Sequence, residues 1–261
     1  MRATWQIFRR ELGAFFTSPM AYVVMTLFLI IMGFFFFVLT SRFTQSFGEM
    51  MMWAQMQGMP PDFNFNANEM ILEPLFYQAA VVLLFLAPML TMRLFAEENQ
   101  LGTVELLLTC PVRDIEVILG KFLASLTVVA VMFALTLVYP IFTAYQTSLE
   151  IGPILTGYIG LLLLASAFLA VGIFYSSLTE NQIVAGALTF ATLLALWLIA
   201  ALVQTDAVTG GLQSFLTETS IILRYEDFAR GVINLGDGLY YLTITALGLF
   251  LTVNVLDSKV H

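Results

Sequence analysis

Six stretches of this chain carry no charged residue over at least 18 consecutive positions. They run 12–41 (30 residues), 74–92 (19), 122–149 (28), 151–179 (29), 181–205 (25) and 238–256 (19). A helix needs about 20 apolar residues to cross a hydrocarbon core, so each stretch fits one crossing and none comfortably fits two. A membrane β-barrel would alternate apolar and polar residues in segments of about ten. Runs such as Leu27 to Val38 and Val81 to Leu90 are continuously apolar instead. The expected fold class is therefore an all-α integral membrane protein with six transmembrane helices.

Composition agrees: 60% of the 261 residues are apolar and 11% are charged, against roughly 25% charged in a soluble domain. A net charge of −8 excludes a nucleic-acid-binding surface over the whole chain. The crossings are expected at 20–40, 74–92, 122–144, 153–175, 182–203 and 238–256, in one domain spanning 1–261. The first apolar run is too long for the core of a cleavable signal, so none is expected.

Six crossings place both termini on one side. With the amino terminus inside, Arg2, Arg9, Arg10, Arg93, Arg113, Lys121 and Lys259 are cytoplasmic, and Arg42, Arg224 and Arg230 are external. Seven against three favours cytoplasmic termini by the positive-inside rule. The loop 93–121 is then cytoplasmic, and 41–73 and 204–237 are external.

Residues 1–19 read as an interfacial helix. Trp5, Phe8, Leu12, Phe15 and Phe16 share one face of a helical wheel, with Gln6 and Arg10 opposite and Ile7 as an exception. Ser18-Pro19 is expected to break it before the first crossing. In the loop 41–73, Met50, Met51, Met52, Met56 and Met59 cluster. Thioethers suit Cu(I), but no His or Cys accompanies them, and a short apolar helix from Phe47 to Met59 is the simpler reading. Pro60-Pro61 would end that helix, and Asn64, Asn66 and Asn68 mark irregular structure. In 204–237, Leu212, Phe215, Leu216, Thr219, Ile222 and Leu223 recur at helical spacing. Gly210-Gly211 is expected to supply a turn there, and Arg224, Glu226, Asp227 and Arg230 to pair. Ser166 and Ala170 form a small-xxx-small pair of the kind found at helix interfaces in membranes.

The segment 93–121 differs in kind, with eight charges in 29 residues. Gly102-Thr103 opens a short helical run, Leu106 to Leu108 give it an apolar patch, and Pro111 stops it. An exposed apolar helix in a charged loop is a docking surface, although an ordinary solvated loop fits the residues equally well.

Chemistry is scarce. The lone His is His261 and the lone Cys is Cys110, which excludes a zinc site and an internal disulfide. Gly120-Lys121 is followed by Phe122 and preceded by Ile115 where a P-loop needs its first Gly, so this chain is not expected to bind or hydrolyse ATP. The crossings hold no Asp, Glu, Lys, Arg or His, which counts against an ion-coupled secondary transporter. A non-transporting membrane anchor for a cytoplasmic enzyme stays open at this level.

Glu98-Asn-Gln-Leu-Gly102-Thr103-Val-Glu105-Leu-Leu-Leu-Thr-Cys-Pro111 resembles the E-x-x-x-G-T-x-E-x-L-L-x-x-P signature of ABC-2 type permeases, and Ile118-Leu-Gly-Lys121-Phe continues the likeness. Phe8-Arg9-Arg10-Glu11-Leu12 with Ser18-Pro19 is similar to that family's amino-terminal interfacial helix. Phe228-Ala-Arg230-Gly231-Val-Ile resembles the branch related to gliding-motility permeases. The resemblance implies a type V exporter-like permease of the bacterial inner membrane, non-catalytic and without a cofactor of its own. It would pair with a second copy or a sibling permease, and each would bind a cytoplasmic ATPase carrying ATP and Mg. An extracytoplasmic partner protein is compatible with the long outer loops. The helix around Gly102–Cys110 would be the coupling helix seated in the ATPase. Glu98, Gly102, Thr103, Glu105, Leu107 and Pro111 are the positions implied for that coupling.

Overall fold

The computed structural model describes residues 2–57, 66–102, 113–203 and 210–260. Most of those residues are helical, with no strand among them, and six helices are long and apolar enough to cross a membrane. In chain order the elements are α1 (Arg2–Thr17), α2 (Pro19–Gln57), a π-helical turn (Asn68–Leu72), α3 (Glu73–Thr91) and α4 (Ala96–Gln100). Then follow α5 (Asp114–Thr136), α6 (Val138–Ala144), α7 (Ile151–Leu178), α8 (Gln182–Val203), α9 (Gly211–Thr219), α10 (Leu223–Ala229) and α11 (Leu235–Val260).

The core is built around α7, which packs against α3, α5, α8, α10 and α11. Small residues on α7 let these neighbours close in. A Cβ on Gly172 would lie 2.1 Å from Thr91 Oγ1 of α3, and one on Gly160 would lie 2.6 Å from Phe228 Cβ of α10. Ser166 and Ala170 do the same toward α11. Ser166 Oγ lies 3.0 Å from Thr245 Oγ1, and a Cβ on Gly248 would meet Ala170 at 3.0 Å. The small-xxx-small pair is therefore spent inside the chain, not offered to a second one. In contrast, α2 and α8 leave most of their apolar residues uncovered.

The helix α2 corrects the reading of the first external loop. No separate helix begins at Phe47; one helix continues from Pro19 to Gln57. Its 39 residues rise about 58 Å, roughly twice the hydrocarbon thickness. The charge-free run stops at Ser41, but backbone hydrogen bonding is indifferent to polarity and no proline interrupts the chain until position 60. Met59, Pro60, Pro61 and Asn64 lie outside the described residues. Asn66 precedes the π-helical turn, while Asn68 belongs to it. Likewise α5 begins at Asp114, so 114–121 is helix, not loop.

α1 also turns differently from its wheel. Ile7 packs inward and Trp5 is 60% exposed. The cause lies on α5: Gly120 has no side chain, and a Cβ there would meet Ile7 Cγ2 at 2.7 Å and Phe8 N at 3.3 Å. This notch seats Ile7 and fixes the rotation of α1. The break after α1 falls where Ser18-Pro19 places it, with Thr17 Oγ1 donating back to the Gly13 carbonyl at 3.0 Å.

At the opposite end of the bundle the segment before α11 folds as two short helices. Gly210, at φ +75°, opens α9, and Ser220 separates α9 from α10. Tyr240 and Tyr241 of α11 donate to the carbonyls of Thr219 (2.5 Å) and Ile221 (2.6 Å) and pin this cap to the bundle. Its charges do not pair only among themselves. Arg224 Nη1 contacts Asp237 Oδ1 at 2.5 Å, and Arg230 bridges Glu226 and Glu73, the latter at 3.2 Å.

Candidate functional site

The α1 end of the bundle gathers most of the charge that the spans exclude. α3 ends at Thr91, the chain turns through Arg93 and Leu94, and α4 follows at Ala96. A five-residue helix has no stability of its own, and its first N–H groups need partners from elsewhere. Ser176, near the end of α7, supplies them. Its Oγ accepts from the N–H groups of Phe95 (3.0 Å) and Ala96 (3.1 Å) and donates to the Met92 carbonyl (3.0 Å). Asn99 Nδ2 reaches the Ser177 and Thr179 carbonyls at 3.4 and 3.2 Å. α4 is thus held against the end of α7 by side chains at both of its ends.

On its other face α4 carries Glu98. Glu98 Oε1 accepts from Lys121 Nζ of α5 at 2.8 Å and lies 3.5 Å from Arg10 Nη2 of α1. Lys121 also reaches Glu11 Oε1 at 3.3 Å, and Arg10 contacts the same oxygen at 2.7 Å. Four alternating charges therefore join three elements that are distant in sequence. The Lys121 side chain is 2% exposed, with its ammonium 5.1 Å from the centre of the Phe95 ring. A buried ammonium is tolerated only where carboxylates surround it, and here two do. Burial works to raise the pKa of Glu11. The attraction of Lys121 and the hydrogen bond from Arg10 outweigh it, and the carboxyl titrates below the ordinary value of 4.5.

Beside the cluster Arg93 Nη1 donates to Ser18 Oγ at 3.1 Å and its guanidinium lies 5.1 Å from the centre of the Phe15 ring. A cavity of about 300 Å³ opens between α1 and α4, bordered by Glu11, Phe15, Arg93, Glu97, Glu98 and Lys121. Among the described residues no group of three or more His, Cys, Asp or Glu side chains converges as a metal site would require. The arrangement suits mechanics more than chemistry, because Glu11 and Glu98 face Lys121 and Arg10, and Arg93 faces the Phe15 ring.

Of the positions marked from sequence, Glu98 lies in this cluster. Gly102 sits two residues past α4 at φ +67°, the left-handed conformation that glycine adopts without strain, and turns the chain out of the helix. Thr103, Glu105, Leu107 and Pro111 lie outside the described residues. Sequence reasoning missed Arg10, Glu11, Asn99, Lys121 and Ser176 as members of the site. A signal existed for two of them. Glu11 and Lys121 are the last charges before the gaps 12–41 and 122–149, so both sit at one membrane boundary with opposite sign. Nothing in the sequence marks Ser176, an ordinary serine in an apolar run.

A family model described as ABC-2 family transporter protein matches residues 5–254. The match supports the family and not the narrower gliding-motility branch. No curated protein matches the chain.

Proposed function

Because this chain belongs to the ABC-2 transporter family, we propose that it is the membrane-spanning permease subunit of an ATP-driven exporter, powered by a separate cytoplasmic ATPase. Members of the family are transport components that work with ATPase subunits, and they are not themselves catalytic. The α1 end faces the cytoplasm in this reading, as the seven-to-three division of basic residues favours. The segment 103–112 carries the coupling helix, with Glu105, Leu107 and Pro111 shaping its contact with the ATPase.

The observation that supports this most is the double anchorage of α4. The chain enters the coupling segment directly from Gly102, and α4 is tied to α7 through Ser176 and Asn99 and to α5 and α1 through Glu98. A push on the coupling segment is thereby delivered to two crossings and the interfacial helix together. The uncovered apolar faces of α2 and α8 are the surfaces a second permease copy or a sibling chain would cover. Because the crossings carry no charge between their boundaries, the pathway between two such chains suits an apolar or amphipathic cargo.

The test is replacement of Glu105 by Lys, followed by identification of the ATPase that co-purifies with the wild-type chain and measurement of its recruitment and ATP hydrolysis with the variant. Lys is an adequate helix former, so insertion should be normal. Reversing a charge at the interface can cost several kcal/mol. Recruitment should fall, or hydrolysis should persist without transport. Equal recruitment and equal function in the variant would remove Glu105 from the coupling role.

A further inference from the structure

α1 lies level with one membrane boundary, and two contacts fix that depth independently. Ile7 and Phe8 sit against Gly120, the neighbour of Lys121, which is the last charge before the gap 122–149. Further along α1, Ser18 Oγ accepts from Arg93 Nη1 at 3.1 Å, and Arg93 is the first charge after the gap 74–92. The helix therefore runs along the boundary between these two marks. The headgroup layer on each side of the hydrocarbon is about 5–8 Å thick. Trp5 and Arg9 lie within two residues of the Ile7–Phe8 contact, a rise of about 3 Å at most, so both stand in that layer.

Helical spacing divides what α1 shows on the sides turned from α5. Trp5, Leu12 and Phe16 follow one strip, Gln6 and Arg10 follow another, and Arg9 falls on the seam between them. The two arginines are neighbours with different duties. Arg10 contacts Glu11 at 2.7 Å and lies 3.5 Å from Glu98. Arg9 is exposed and makes no hydrogen bond or ion pair with any described residue. One turn on, Gly13 leaves the row open, since a Cβ there would meet nothing within 4 Å. One turn back, Trp5 is 60% exposed and its ring stacks on Phe8 at 5.1 Å, which holds the indole beside the arginine.

A guanidinium without a protein partner in the headgroup layer meets lipid phosphates, and indole is enriched at that level. The sign of the head is decided by the neighbours. Glu11, the carboxylate nearest in sequence, is already held by Arg10 and by Lys121 at 3.3 Å. An ammonium-bearing head therefore finds no free carboxylate beside Arg9, whereas a net-negative head finds a free cation.

We propose that Arg9 and Trp5 seat an anionic phospholipid of the leaflet at the α1 end, with its phosphate on the guanidinium and its glycerol backbone against the indole. The lipid holds the outer side of the helix whose other residues, Arg10 and Glu11, enter the charge cluster with Glu98 and Lys121. α1 is thereby gripped between a headgroup and α5. The proposal needs neither an ATPase nor an assignment of the cytoplasmic side.

Trp5, Trp53 and Trp197 are the three tryptophans of the chain, so Trp53→Phe with Trp197→Phe leaves Trp5 as the sole emitter. The full chain is placed in nanodiscs of phosphatidylcholine and phosphatidylglycerol at one fixed composition. Bromine, a contact quencher, is carried near the glycerol end of the chains, either on the phosphatidylglycerol or on an equal amount of the phosphatidylcholine. One basic residue near the surface favours an anionic lipid about fivefold, so brominated phosphatidylglycerol should quench Trp5 about fivefold more strongly. Arg9→Gln should remove the difference and Arg9→Lys should keep most of it, with unchanged emission before bromine is introduced. Soluble glycerol phosphate should not displace the quencher, because the seat takes a lipid and not a free phosphate. Equal quenching by the two lipids would overturn the proposal, as would a preference that survives Arg9→Gln or displacement by glycerol phosphate. Quenching by neither lipid would put another protein surface over Trp5 and overturn it too.

Discussion

Lys121 of α5 and Glu98 of α4 meet at 2.8 Å, and the lysine side chain is 2% exposed. Glu11 of α1 completes its surroundings at 3.3 Å. Removing the cation from such a pair strands two carboxylates, which costs more than the pair itself contributes. Lys121→Met should therefore destabilise the chain by about 3–5 kcal/mol, read as a lowered unfolding midpoint in detergent or nanodiscs. Glu98→Gln added to Lys121→Met should recover part of that loss. An additive double variant would show that the two groups do not interact.

The same cluster predicts a pH dependence. The Glu11 carboxyl titrates below 4.5 in the folded chain. A depressed carboxyl contributes stability that is present above its unfolded value and lost as pH falls through its folded value. Attachment of α1 to α5 should thus be constant from neutral pH down to about 5 and weaken below about pH 4.5. Glu11→Gln should flatten this acid limb. Fluorescence of a probe on α1 at an exposed site such as Ala14, followed through titration, reads the effect. An acid limb unchanged by Glu11→Gln would refute it.

Gly120 and Ile7 form a steric pair. A methyl at position 120 would lie 2.7 Å from Ile7 Cγ2, with the Phe8 backbone at 3.3 Å behind it. Gly120→Ala should lift α1 from α5 at a cost of about 1–3 kcal/mol despite its better helix propensity. Ile7→Ala should relieve part of that cost in the double variant. A neutral Gly120→Ala would mean that α1 is held by lipid, not by α5.

Topology is testable by reporters. Fusions after Asn99 and Glu180 should read cytoplasmic, and fusions after Asn64 and Asp206 external. An external signal at Asn99 would invert the chain and remove the coupling assignment, while leaving the six crossings untouched.

Much of the architecture was legible because hydrophobic length is a one-dimensional property. The gap 151–179 contains the whole of α7, and the break at Ser18-Pro19 follows from local steric chemistry. The continuation of α2 to Gln57 was not legible, because the charge pattern reports where the hydrocarbon ends and not where hydrogen bonding ends. The site was half legible. Glu98 and Gly102 stand in a motif, but Ser176 is recognisable only once α7 ends beside α4.

The sequence by itself determined an all-helical membrane protein, the number of crossings and the family, because apolar run length and a contiguous motif need no knowledge of distant contacts. Only the tertiary structure decided which charges meet. Arg10, Glu11, Glu98 and Lys121 span more than a hundred positions of chain and converge because Gly120 admits Ile7 and Ser176 caps α4. Such pairings depend on the rotation and approach of helices, which packing sets and composition does not encode. The same reason hid the fate of Ser166 and Ala170. Two small residues announce a close contact, and only the packed bundle shows that α11 has already taken it.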